Sequence, residues 1–239
     1  MLHTEGLVID WTQMPTYNTI MSVAAGAGLL TLVWFAWSLQ KSRVGSLDGW
    51  ALAFGTPGII MFATGLHMTL TWPFAKYFPF DNIIFGEPSL AFGIVLLAAA
   101  LFLWKRGHLV EASDDMGARL AATVRPLSIL IIGLGLSLIA IMFAGLIFQL
   151  FAAPPEEPIT GAFADYPWLE ATAMSGLFGI TGVGAILFPF ALNTFGTGKK
   201  ITAIQWVVGI ILGAAGIALL LFGALNFFTH VGLIVNTMG

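Results

Sequence analysis

The chain has 239 residues, 58% of them hydrophobic and 9% charged, with a mean hydropathy of +0.94; no water-soluble domain of this size stays in solution with so little charge. The net charge of −3, from 12 acids and 9 bases, includes no basic face, which excludes a nucleic-acid partner. Cysteine is absent, so thiolate-held iron–sulfur clusters, covalent c-type haem, thiol nucleophiles and disulfide staples are excluded.

The opening segment, Met1 to Leu7, has no basic n-region and no cleavage-like signature follows, so the first helix is expected to remain in the mature protein. A spanning helix needs about 20 mostly apolar residues, and the runs 18–40, 48–72, 85–104, 126–151, 168–195 and 201–228 qualify. The expected fold is all-α, a polytopic membrane bundle of six transmembrane helices forming a single transmembrane domain over 1–239. Trp37, Trp50, Trp72, Trp104, Trp168 and Trp206 stand where interfacial belts belong.

Loops rich in lysine and arginine stay in the cytoplasm. Lys41 and Arg43 follow the first span, Lys105, Arg106, Arg119 and Arg125 the third, and Lys199 and Lys200 the fifth; only Lys76 lies on the other side. This predicts an N-out, C-out topology in a prokaryotic plasma membrane. The stretch Leu109 to Thr123 suits a short surface helix, acidic early and basic late. Gly176 and Gly179, and Gly209, Gly213 and Gly216, have the spacing of close helix contacts. Thr56-Pro57-Gly58 and Phe188-Pro189 are candidate helix breaks. A weak internal repeat would match spans two and three to spans four and five: Gly65-Leu66 and Leu70 to Gly145-Leu146 and Leu150, Glu87 to Glu170.

With this topology, three of the four histidines, His3, His67 and His230, share the outer side, and His108 is cytoplasmic. His67 precedes Trp72 by five residues, roughly 7 Å along a helix. Ionisable groups at membrane depth are costly unless paired, ligated or hydrated. Imidazole and carboxylate together suit zinc, iron or copper, and His67, Glu87, Glu170 and His230 form the candidate metal shell. A b-type haem would instead use His67 and His230 as axial ligands. Competing structural readings stay open: Glu87, just before Pro88, fits an N-cap, as does Asp48, while His67 fits a packed position and His230 an interfacial one. The loop Phe74 to Asn82 is too aromatic to lie bare in water, so it would sit on the bilayer, cap the site or meet another subunit. Nothing in the chain matches a HExxH, nucleophile-elbow or phosphate-loop pattern.

The runs GLHMTLTWPF and FGEPSLAFG resemble a family of small polytopic membrane proteins of actinobacteria and archaea that carries an unknown-function label. That resemblance implies a multi-helix membrane fold and supplies no activity or site residue. The first functional expectation is an accessory or redox subunit of a larger membrane complex with an outer-face metal or haem site, its partners being the bilayer and other membrane subunits. The alternatives are a structural subunit that docks a partner through the aromatic hairpin, and a small transporter or channel.

Overall fold

The computed structural model describes residues 8–13 and 17–238, and His3 lies outside them. The helices are α1 (Asn18–Gln40), α2 (Leu47–Thr71), α3 (Glu87–Glu111), α4 (Met116–Val124), α5 (Ser128–Phe148), α6 (Pro167–Leu192) and α7 (Ala203–Thr237). Six helical segments are long and apolar enough to cross a membrane, with the short α4 running through a tight turn at Arg125–Leu127 into α5. No strand occurs among the described residues. Both described ends of the chain lie at one end of the bundle, here the terminal end; the loops with most lysines and arginines lie at the other, the basic end.

Helices in lipid gain nothing from burying apolar surface against one another, so their contacts depend on how closely the backbones approach. Three pairs form the framework: α2 with α3, α5 with α6, and α1 with α7. Each crosses at glycines. A Cβ on Gly65 would fall 2.5 Å from the Leu90 backbone nitrogen, and one on Gly93 2.6 Å from that of Phe62. In the second pair Gly135 and Gly182 face each other, a Cβ on either falling 2.7 Å from the other's carbonyl oxygen. In the third, a Cβ on Gly26 would lie 2.5 Å from the Leu220 nitrogen, and one on Gly223 2.7 Å from the Val23 nitrogen. Of the glycines singled out by spacing, Gly216 packs on Leu29, Leu30 and Gly26, and Gly179 on Met142; Gly213 barely touches Val33, and Gly176 and Gly209 face open space.

The pairs join around a ring: α1 also packs on α2, and α7 on α6, whereas α3 and α5 meet only sparsely. At the terminal end Phe85 bridges this last gap, with its ring 6.1 Å from both Phe151 and Phe178, which stack at 5.4 Å. At the basic end Asp115 ties loops together. Its Oδ1 accepts from the Ala118 and Thr197 amides at 2.8 and 2.7 Å, and the Gly117 amide donates to Thr197 Oγ1 at 2.8 Å. These bonds, led by that from Thr197 and aided by Lys199, hold the Asp115 carboxyl below its ordinary range.

Several boundaries differ from the sequence expectation. α7 runs on to Thr237, which puts His230 inside the helix. α3 is preceded by the turn Pro79–Asp81 and a π-helical turn at Asn82–Gly86, so the coil is already helical when it reaches Glu87 (φ −67°, ψ −46°), which therefore does not cap. Asp48 lies in the first turn of α2 with Ser46 at the cap position. The surface helix is only Met116–Val124, since α3 continues to Glu111. Pro57 and Pro189 lie within α2 and α6 without ending them. Trp50 is buried, its indole N–H donating to the Val44 carbonyl at 2.6 Å, whereas Trp37, Trp72, Trp104, Trp168 and Trp206 are exposed as a belt requires.

Gly65→Ala should lower the stability of the detergent-solubilised protein by about 1–3 kcal/mol, because backbone atoms of α3 must move, while Gly176→Ala, facing open space, should change it by less than about 0.5 kcal/mol. Thermal unfolding followed by circular dichroism reads both.

Candidate functional site

The terminal end of the bundle gathers the polar side chains. The loop between α5 and α6 folds down on the last turns of α7: Asn236 Nδ2 donates to the Glu156 carbonyl at 2.7 Å, and the Pro158 ring nests against Gly232. This carries Glu157 into the protein, where it is 7% exposed and its Oε1 lies 3.0 Å from Nδ1 of His230. Thr229 Oγ1 approaches the same Nδ1 at 3.2 Å, and on the other side of the imidazole Asn18 Nδ2 lies 3.1 Å from Nε2. Burial pushes the Glu157 carboxyl up, but hydrogen bonding and charge from His230, with the hydroxyls of Thr229 and Thr160, outweigh it and hold it below the ordinary 4.5.

The four residues expected to form a metal shell are distributed as follows. His230 is at the centre of this cluster. Glu170 is beside it: its Oε2 accepts from the Ala153 amide at 2.8 Å, and it lies within electrostatic range of both Glu157 and His230. His67 is on the exposed side of α2 with its ring 5.5 Å from that of Tyr17. Glu87 is exposed at the start of α3. His67 and His230 thus lie against successive residues at the start of α1, Tyr17 just before it and Asn18 its first residue. Among the described residues no group of three or more histidines and carboxylates has the arrangement to hold a metal ion.

Sequence reasoning did not single out Asn18, Asn226 or the pairing of Glu157 with His230. The readable signal was a carboxamide inside a lipid-type helix, Asn226 in the run Leu219 to Phe228, because such a group in hydrocarbon needs a partner. A second signal is structural: the π-helical turn carries Asn82, 2% exposed, whose Nδ2 has no hydrogen-bond partner.

Between the helix pairs lies an apolar cavity of about 730 Å³ lined from α1, α2, α3, α5, α6 and α7. Phe92, Ala99, Leu134, Leu177 and Leu212 are typical of its wall, and no charged residue or histidine is among the residues lining it. Towards the basic end Gln40 and Gln205 are already committed: Gln40 Nε2 donates to Gln205 Oε1 at 3.0 Å, and Gln205 Nε2 donates to the Ala191 carbonyl at 3.1 Å. At the terminal end Asn18, Ser22, Ser89 and Asn226 line it.

The family described as "Protein of unknown function (DUF981)" matches residues 14–232. The chain belongs to that family. Comparison with curated proteins and with solved structures gave no match. The DUF981 match covers the first five candidate spans, the sixth as far as residue 232, the π-helical turn and His230, so both the cavity and most of the polar cluster fall inside the family region.

The lowered Glu157 value fixes the sign of a pH effect. A carboxylate whose pKa is depressed by folding stabilises the docked loop above its unfolded value, near 4.5, and that contribution is lost as the pH falls through the lower folded value. Hydrogen-exchange protection factors of the 156–163 amides, corrected for the intrinsic pH dependence of exchange, should therefore fall on acidification through that window. In Glu157→Gln the loop should exchange faster at neutral pH and show no such step.

Proposed function

We propose that this protein is a lipid-binding membrane component: it admits the apolar part of a lipid molecule into the space between its helices and holds it there. The observation that carries this reading is the cavity. An apolar space of some 730 Å³, partly open at its sides, leaves its lining atoms without packing partners unless an apolar molecule occupies it. Water does not fill so apolar a lining. The volume is within the range of small-molecule sites, and the sparse contact between α3 and α5 gives an opening towards the bilayer. An acyl or other hydrocarbon chain from the membrane is the available filling.

The lysine and arginine distribution supports placing both termini outside the cytoplasm of a prokaryotic plasma membrane. Because the chain has no cysteine, single replacements report on this directly. Thr12→Cys should react with a membrane-impermeant maleimide on intact cells and Lys41→Cys only after lysis. The reverse pattern would invert the topology.

The reading as an accessory or redox subunit of a larger membrane complex keeps one observation in its favour, the grouping of His230 with Glu157 and Glu170 at the terminal face. Imidazole and carboxylate are ligand types that suit iron, copper or zinc, but these three side chains would have to move together to form a shell. One preparation tests both readings: protein purified gently from its native membrane, analysed for lipid by mass spectrometry and for metal and haem. The cavity reading expects about one tightly held lipid per chain, lost in Gly209→Leu, which adds a side chain to the cavity wall at a position where a Cβ meets no other atom within 4 Å. Lipid-free protein, or equal lipid in the variant, would sink it. Stoichiometric metal lost in His230→Ala would instead favour the redox subunit.

A further inference from the structure

The cavity is apolar along its length, but its two ends are not equivalent. Of its polar lining residues, Gln40 and Gln205 bond to each other, Ser22 donates to the Leu219 carbonyl at 2.7 Å, Thr181 to Leu177 at 2.7 Å, and Thr123 to Arg119 at 3.0 Å. Asn18 is engaged with His230. Asn226 differs. It is 3% exposed, it lines the cavity, and its carboxamide makes no hydrogen bond to another described residue. A buried amide without a partner costs about 1–3 kcal/mol, more than a well-paired one contributes.

Its position is fixed by a close contact between α7 and α1. Gly223 lets α7 pack directly on Val23 and Thr19 of α1, and His230 meets Asn18. Asn226 lies three residues after Gly223 and four before His230, on the same face of α7. The Asn18–His230–Glu157 chain behind it holds the start of α1 in place. Ser89, at the start of α3, is the other lining hydroxyl at this end without a protein partner. The terminal end thus offers hydrogen-bonding groups that are rigidly mounted and unused.

We propose that Asn226 is the polar subsite of this cavity and that its ligand is an uncharged long-chain lipid bearing a hydroxyl or carbonyl oxygen, with the oxygen at the terminal end and the chain running towards Gln40 and Gln205. This rests on the lipid-binding reading above and narrows it. The absence of any charged group among the lining residues argues against a phosphate or carboxylate head, because an anion in so apolar a site has no counter-charge. A carboxamide both donates and accepts, so it pairs with either a hydroxyl or a carbonyl.

The test uses the full-length protein in detergent, native mass spectrometry, and three probes with the same chain: hexadecan-1-ol, palmitate and hexadecane. Wild type should retain hexadecan-1-ol about ten-fold better than hexadecane, as one buried hydrogen bond implies, and palmitate no better than hexadecane. Asn226→Leu should erase the preference for the alcohol while hexadecane retention stays. Asn226→Gln, which keeps an amide, should restore part of it. An unchanged preference in Asn226→Leu would overturn the subsite and leave the cavity reading standing. So would a parallel loss of all probes in both variants, since Asn226 would then act through packing. Failure of wild type to retain any probe would overturn the cavity reading itself, and the subsite with it.

Discussion

Close backbone contact at glycine is the constraint on which this structure depends. In a bilayer the surroundings of a helix are as apolar as its own side chains, so burial alone does not choose a partner. Gly26, Gly65, Gly93, Gly135, Gly182 and Gly223 remove the side chain where two helices would otherwise be held apart, and backbone atoms of the partner occupy that space. Dispersion, which falls steeply with separation, then acts over the whole crossing. Three rigid pairs result. Rigid pairs cannot also collapse onto a common axis, and the central cavity is the space that remains between them.

The two ends of the bundle are fastened by different means. At the basic end, Asp115 gathers backbone amides from its own helix and from the loop after α6, and Gln40 and Gln205 link α1 to α7. At the terminal end, a loop containing Pro154 and Pro155 carries a carboxylate onto α7, where His230 receives it. Phe85, Phe151 and Phe178 bridge the α3–α5 gap at that end. α3 and α5 touch only sparsely, and Pro57 and Pro189 lie inside continuous helices.

Polar groups in such a protein are informative because each one is expensive. Glu157 is accounted for by His230 and two threonines, Glu170 by the Ala153 amide, and the glutamines by each other. Asn226 is the carboxamide in the cavity wall that the fold does not satisfy. The cavity and the amide are therefore linked physically: the same α1–α7 contact that leaves the space also holds Asn226 at its edge. His67, by contrast, packs its ring against Tyr17 on an exposed flank of α2 and faces neither the cavity nor the Glu157 pair.

The sequence by itself determined the class of fold. Six apolar runs, tryptophans at their ends and glycines within them are local properties, written in stretches of twenty or thirty residues, and they led to the all-α membrane bundle that the structure has. The gathering of polar groups at one end was also legible, through His230 and Glu170. Which helix lies against which was not, because spans apolar on every side carry no amphipathic stripe to point at a partner. Gly176 and Gly26 look alike in sequence, yet one faces open space and the other an adjacent backbone. Only the tertiary structure decided that His230 meets Glu157 and Asn18, from 73 and 212 residues away, rather than His67. The cavity was equally invisible, since it is a property of how three pairs fail to fill the space between them and of no residue alone.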